Sequence, residues 1–436
     1  MMNCCGANTE VGWDPDAFYA VRPECAGDVP KTHFRPRPGK TLSEKRWHSL
    51  FSEDGHLDIA KVLSRIQRGG IYPKVKGFAW EFLLGCYDPK STFNERIELR
   101  QKRRSEYDTL KSKCKEMEPT IGSGKLLTMP VITEDGHPVE APTSETSQEN
   151  AQPGEASSQI PEQQQDNVIK DKEIIQWKLT LSQIGLDVVR TDRTLVYYES
   201  EENRARLWDM LAVYSWIDRD IGYCQGMSDL CSPISIVVEN EADAFWCFER
   251  LMRRLRGNFK CTSSSIGVRS QLTVLSSIIK AVDPKLHEHI ENLDGGEYLF
   301  AFRMLMVLFR REFSFIDSLY LWEMMWAMEY NPNSFSLYES DAEVDGNVAI
   351  VGNEKEYGKF ERKNMKIGQK DQEGTLSIFL VASVLEAKNK RLLTEATGLD
   401  DVVKILNDIT GNLDAKKACD GALKLHKKYL TKVKVD

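Results

Sequence analysis

Leu207-Trp208-Asp209-Met210-Leu211-Ala212-Val213-Tyr214-Ser215 decides the class of fold. Leu207, Trp208, Leu211, Tyr214 and Ser215 recur at spacings of three and four, the repeat of one face of an α-helix. Similar stripes follow at 244–251, 272–282, 298–309 and 316–328, with the turn signals Asp283-Pro284 and Gly295-Gly296 between them. Alternation with a period of two is scarce. Residues 177–330 therefore read as helices packed on helices, an all-α architecture.

Upstream, Ile59, Val62, Leu63 and Ile66 share one helical face that Gly69-Gly70 stops. Val75, Phe78, Ala79, Phe82 and Leu83 make a second stripe closed by Gly85, and 92–118 reads as a charged helix. Residues 1–45, rich in Pro and Gly, read as an irregular lead. The composition then shifts. No aromatic residue lies between Tyr107 and Trp177, and no Lys or Arg between Lys125 and Lys170. Such a stretch buries too little apolar surface to offset its chain entropy, so about 118–168 is expected to be a disordered acidic insertion. A second polar insertion is expected at 331–373. Helical patterning resumes at 378–385 and 402–409, and Lys424, Lys427, Lys428, Lys432 and Lys434 read as a solvated helix face. The expectation is one helical domain over 46–430, twice interrupted.

The 436 residues are 41% hydrophobic and 28% charged, with a formal net charge of −8. That balance rules out a wholly disordered chain and gives no bulk attraction for nucleic acid or an anionic membrane. The ten cysteines are scattered without a Cys-x-x-Cys pair. They read as reduced, mostly buried thiols, and Cys4-Cys5 as ordinary exposed ones. The opening Met1-Met2-Asn3 lacks a secretory apolar core. The run 299–309 is too short to span a bilayer and holds Arg303. A soluble protein is expected.

Two fragments imitate phosphate loops. Gly39-Lys40-Thr41 has Phe34 where the first glycine is required, and Gly124-Lys125 is followed by Leu126, which has no hydroxyl for magnesium. No nucleotide site of the chain's own is expected. His287 and His289, two residues apart on a predicted helix, point to different faces and cannot chelate one metal. Two polar elements inside the apolar heart remain. They are Ile184-Gly185-Leu186-Asp187-Val188-Val189-Arg190-Thr191 and Ile221-Gly222-Tyr223-Cys224-Gln225-Gly226-Met227. On chemistry alone, Arg190 reads as an arginine bonded to a nearby Asp, and Gln225 as a loop amide.

Together, Ile184-x-x-Asp187-x-x-Arg190 and Tyr223-x-Gln225-Gly226-Met227 resemble the paired signature of TBC-domain proteins, the GTPase-activating proteins of Rab GTPases. Three further segments match in order. Gly69-Gly70-Ile71 through Trp80-Glu81-Phe82-Leu83-Leu84-Gly85 resembles the family's opening segment. Ser228-Asp229-Leu230 continues the second motif. Phe309-Arg310-Arg311-Glu312-Phe313 and Leu321-Trp322-Glu323 resemble its later elements. Lys76 stands where an arginine is common, and Met304 where a tryptophan is frequent.

The resemblance implies a multi-helix TBC domain over roughly 45–430 that accelerates GTP hydrolysis by a Rab-type small GTPase in its GTP-bound form. It casts Arg190 as an arginine finger and Gln225 as a glutamine finger, both supplied in trans. Asp187, Tyr223, Gly222, Gly226 and Ile184 support them. No cofactor belongs to the chain itself; GTP and magnesium are carried by the Rab. The location implied is cytoplasmic, peripheral on endomembranes through the Rab, in vesicle trafficking. The alternative is a scaffold of the same fold that binds Rabs without accelerating hydrolysis.

Overall fold

Helix starts and stops follow signals in the local sequence. Asp58 accepts a hydrogen bond from the Lys61 amide at the head of α1 (Ile59–Gly69), and Gly70, at φ +67°, ends that helix. Pro73, whose missing amide is harmless in a first turn, opens α2 (Pro73–Leu83). Thr92 and Glu95 form a reciprocal capping box on α3 (Phe93–Met117).

The computed structural model describes residues 15–37, 39–128, 162–260, 267–339, 353–365, 374–408 and 413–433. Beyond α3 come α4 (Glu162–Arg190), α5 (Glu201–Ile217), α6 (Met227–Val237), α7 (Glu241–Phe259) and α8 (Arg269–Val282). They are followed by α9 (Pro284–Asn292), α10 (Phe315–Met328), α11 (Leu376–Glu395), α12 (Leu399–Asn407) and α13 (Ala415–Val433). Among the described residues, extended pairing is limited to the isolated bridges Val21–Leu195, Leu42–Ile71 and Phe51–Leu57. The fold is all-α.

The deciding stretch lies at the centre of α5, where Leu207, Trp208, Met210, Leu211, Ala212 and Val213 are all fully buried. Burial of one such large apolar side chain stabilises by roughly 1.5–3 kcal/mol. Polar ends of the large rings are satisfied: the Trp208 indole donates to the Leu181 carbonyl at 2.9 Å and Trp177 to Ser215 Oγ at 3.1 Å. These bonds fasten α4 along α5. On the far side α10 is buried all round, and Trp80 of α2 meets Trp326 edge-on at 5.0 Å. Lys76 explains its own departure from the family pattern. Its ammonium pairs with Glu323, which is fully buried and also accepts from the Trp80 indole at 3.1 Å.

Three expectations need correction. The stripe at 298–309 is not one helix. It is a 3₁₀ turn (Leu299–Ala301), a short helix (Phe302–Met306), and then Leu308 and Phe309 at φ +47° and +58°. Leu299 and Phe302 are half-exposed while Tyr298, Ala301, Leu305 and Phe309 are buried, so apolar letters run on through the break and their spacing does not mark it. The first polar insertion is narrower than 118–168. Ile121 is buried, the Gly122 amide donates to Asp209, and helix α4 already runs from Glu162; residues 129–161 lie outside the described residues. In the second stretch, 353–365 packs on the core through buried Tyr357 and Phe360, while 340–352 and 366–373 lie outside the described residues.

Cys86, Cys114, Cys231, Cys247 and Cys419 are free and buried; Cys4, Cys5 and Cys261 lie outside the described residues. The basic tail has structural duties, because Lys428 and Lys432 donate to the Val282 and Ala281 carbonyls at the end of α8. No helix among the described residues is long and apolar enough to cross a membrane.

Candidate functional site

Arg190 is the last residue of α4, and Asp187 lies one turn before it on the same face. Ile184, fully buried one turn further back, anchors that face in the core. Arg190 Nη2 is 2.5 Å from Asp187 Oδ1; the arginine side chain is 56% exposed and the carboxylate 7%. The Tyr223 hydroxyl donates to the other carboxylate oxygen at 2.7 Å. Burial, then this bond to Asp187, pushes the Tyr223 phenol well above its ordinary value, so it remains a donor at any physiological pH. The guanidinium is thus oriented by a carboxylate that is itself held in place. Past Arg190, the Thr191 hydroxyl donates to the Asp187 carbonyl at 2.8 Å and meets Ser228 Oγ at 2.9 Å.

Gln225 sits on the turn between α5 and α6, and glycine builds that turn. Gly222, at φ +61°, donates its amide to the Asp218 carbonyl at 2.7 Å. Gly226, at φ +105°, caps the head of α6, and a Cβ there would lie 2.9 Å from Val307 Cγ1. Asp218 is fixed by Arg256 at 2.7 and 2.9 Å and by the Tyr214 hydroxyl at 2.9 Å. Gln225 is exposed at the tip, and its carboxamide has no hydrogen-bond partner among the described residues.

The two elements meet. One open concavity is lined by Asp187, Arg190 and Thr191 from the end of α4 and by Gln225, Gly226, Ser228 and Asp229 from the head of α6, with Arg311. The Arg190 end and the Gln225 tip therefore face the same space, although 35 positions apart in sequence by their numbering. Tyr223, predicted as a support, spans the two; Gly222 and Gly226 shape the turn. Leu186 and Val189, on α4 beside Arg190, are 58% and 50% exposed. Arg311 was visible in the sequence only as part of a family segment. Here it binds Asp229 at 2.7 Å, a contact across 82 positions that no local spacing announces. Its neighbour Asp192, bound by Arg310, carried no sequence signal at all. As for metals, no group of three or more ligating His, Cys, Asp or Glu side chains gathers among the described residues.

A family model described as the Rab-GTPase-TBC domain matches residues 143–339. Rab GTPase-activating protein 22 of Arabidopsis thaliana is 27% identical, over 87% of this chain and 79% of its own length. TBC1 domain family member 17 of Mus musculus is 32% identical, over 67% of this chain and 38% of its own length. The GTPase-activating protein GYP7 of Saccharomyces cerevisiae is 25% identical over 89% of this chain. The chain spans less than half the length of the last two relatives. A crystal structure of the Ypt/Rab-GAP domain of Gyp1p shares the fold, with a TM-score of 0.56 over 88% of this chain and 98% of that one at 16% identity. With the ordered motifs, the helical architecture and the matching relatives all in agreement, the chain carries a match to the Rab-GTPase-TBC domain over 143–339 and is similar to Rab GTPase-activating proteins.

Proposed function

We propose that this protein accelerates GTP hydrolysis by a Rab-type GTPase in its GTP-bound form, lending Arg190 and Gln225 to the partner's nucleotide pocket. The observation that carries the reading is the shared concavity, which presents an exposed guanidinium and an uncommitted carboxamide to one visitor. A GTPase alone leaves two things poorly arranged: the charge growing on the phosphate oxygens and the attacking water. A planar guanidinium neutralises the first and stays charged at any working pH. An arginine supplied in trans is worth roughly 10³–10⁵ in rate, or about 4–7 kcal/mol of barrier. The glutamine carboxamide offers both an acceptor and a donor, the functions needed to orient water. Asp187 aims Arg190 before the partner arrives, which lowers the ordering cost on binding.

GTP and magnesium would enter with the Rab, and this chain would supply no cofactor of its own. Leu186 and Val189 flank Arg190 as an apolar contact suited to a docking protein rather than to a small ligand. Recruitment would then be peripheral to whichever membrane the Rab occupies.

The test is GTP hydrolysis by a panel of Rabs with wild type, Arg190→Ala and Gln225→Ala. On a responsive Rab, Arg190→Ala is expected to lose about 10²-fold or more. If both variants match wild type there, the two-finger mechanism is wrong. Binding to GTP-loaded Rab with no change in turnover favours the scaffold reading.

A further inference from the structure

Residues 307–311 touch both sides of the concavity. Leu308 and Phe309 hold left-handed backbone, at φ +47° and +58°, a conformation bulky side chains rarely adopt. The bend is fixed from inside the core. Phe309, fully buried, donates its amide to the Met304 carbonyl at 2.8 Å, and the Trp322 indole donates to the Leu308 carbonyl at 2.8 Å.

The bend sends the next two side chains to different partners. Arg310, buried and 4.9 Å from the Phe315 ring centroid, binds Asp192, two residues beyond Arg190. Asp192 is itself at φ +46°, and its second oxygen accepts from Ser232 at 2.6 Å. Arg311 binds Asp229, four residues beyond Gln225, with Nη2 2.7 Å from Oδ2. Val307, at the head of the segment, is the side chain that a Cβ at Gly226 would strike.

We propose that 307–311 is a clasp that sets the separation of Arg190 and Gln225. Arg310 holds the end of the arginine-bearing helix, and Arg311 holds the head of the helix that follows the glutamine turn. Both act as positioning residues. The proposal rests on the reading of Arg190 and Gln225 as a pair serving one nucleotide. Two side chains from separate elements must reach that nucleotide at once, and a misplacement of about 1 Å can cost about 10²-fold in rate. Charge-assisted hydrogen bonds from a planar guanidinium are directional enough to prevent it. In this segment consecutive arginines face opposite finger elements, which a purely local structural role would not require.

The experiment uses the full chain with Asp192→Asn and Asp229→Asn. These remove the charge and keep the shape, and Asn tolerates the left-handed backbone at 192. Amide hydrogen exchange is read first. Asp192→Asn should speed exchange over 188–195, and Asp229→Asn over 224–230, by about tenfold, with α10 and α11 unchanged. On a responsive Rab, each variant should lower the rate at saturation by roughly 10–100-fold while the half-saturating concentration moves less than about threefold. The reversed pair Asp229→Arg with Arg311→Asp should recover much of the loss that either change causes alone. Unchanged exchange at either segment, or a loss confined to half-saturation, overturns the clasp. Should wild type accelerate no Rab, the finger reading falls, and the exchange result alone judges the clasp.

Discussion

Gly222 and Gly226 flank Gln225 at φ +61° and +105°, yet their surroundings differ. An added Cβ at Gly222 meets nothing within 4 Å, whereas at Gly226 it would lie 2.9 Å from Val307 Cγ1. Gly222→Ala therefore carries only the left-handed backbone penalty, about 1–2 kcal/mol. Gly226→Ala adds a collision with the segment that also holds Arg310 and Arg311. Urea denaturation should show the larger loss for Gly226→Ala, and trimming Val307→Ala in the same chain should recover part of the difference. Equal losses at the two glycines would mean that Val307 does not press on the turn. Rab turnover should follow the same order, because Gly226 alone couples the turn to the neighbouring segment.

At the scale of elements, the sequence announces a helix wherever one face is apolar and a cap or glycine marks its end. That is why α1 and α8 lie close to their predicted positions. It fails where an apolar stripe runs across a backbone bend or where partners are remote. The 298–309 stripe keeps apolar letters across a backbone that turns left-handed at Leu308 and Phe309, and Arg310 meets Asp192 across 118 positions. It also fails at close approaches. Nothing in the letters around Gly185 announces it, yet a Cβ there would collide with the Leu127 carbonyl oxygen, where 126–128 crosses α4 shortly before Arg190. The crossing backbone cannot yield by side-chain rotation. Gly185→Ala is expected to destabilise by at least about 1–3 kcal/mol, the range of overpacked sites, and to loosen exchange over 121–128 before any other region. Removing Lys76 tests another tie between elements. Lys76→Met strands the buried Glu323 carboxylate that joins α2 to α10 and should cost about 3–5 kcal/mol by denaturation. A loss below ~1 kcal/mol would show that the pair holds little.

Across the whole molecule, one apolar cluster joins the helices before residue 143 and after residue 339 to those between, so the core exceeds the segment that the family model matches. His426 on α13 shows how the late pieces depend on one another. Its ring is 2% exposed and lies 4.3 Å from Phe360, in the second polar stretch, and 4.8 Å from Phe379 on α11. Burial first, then the charge of Lys363, lowers its pKa to about 4. The unfolded chain binds that proton near the ordinary value of ~6.5. Between these two values the unfolded state holds more protons, so this group's contribution to stability is complete above ~6.5 and is lost as the pH falls toward about 4. At pH 5 the loss is about 2 kcal/mol relative to neutral pH. His426→Phe keeps a ring in the aromatic surround and removes Nδ1, a buried atom without a hydrogen-bond partner. Urea denaturation of both proteins at pH 7.5 and pH 5 cancels the carboxylates they share. The variant should gain on wild type by about 2 kcal/mol over that interval, and a gap that stays constant would mean that His426 takes up its proton in the folded state.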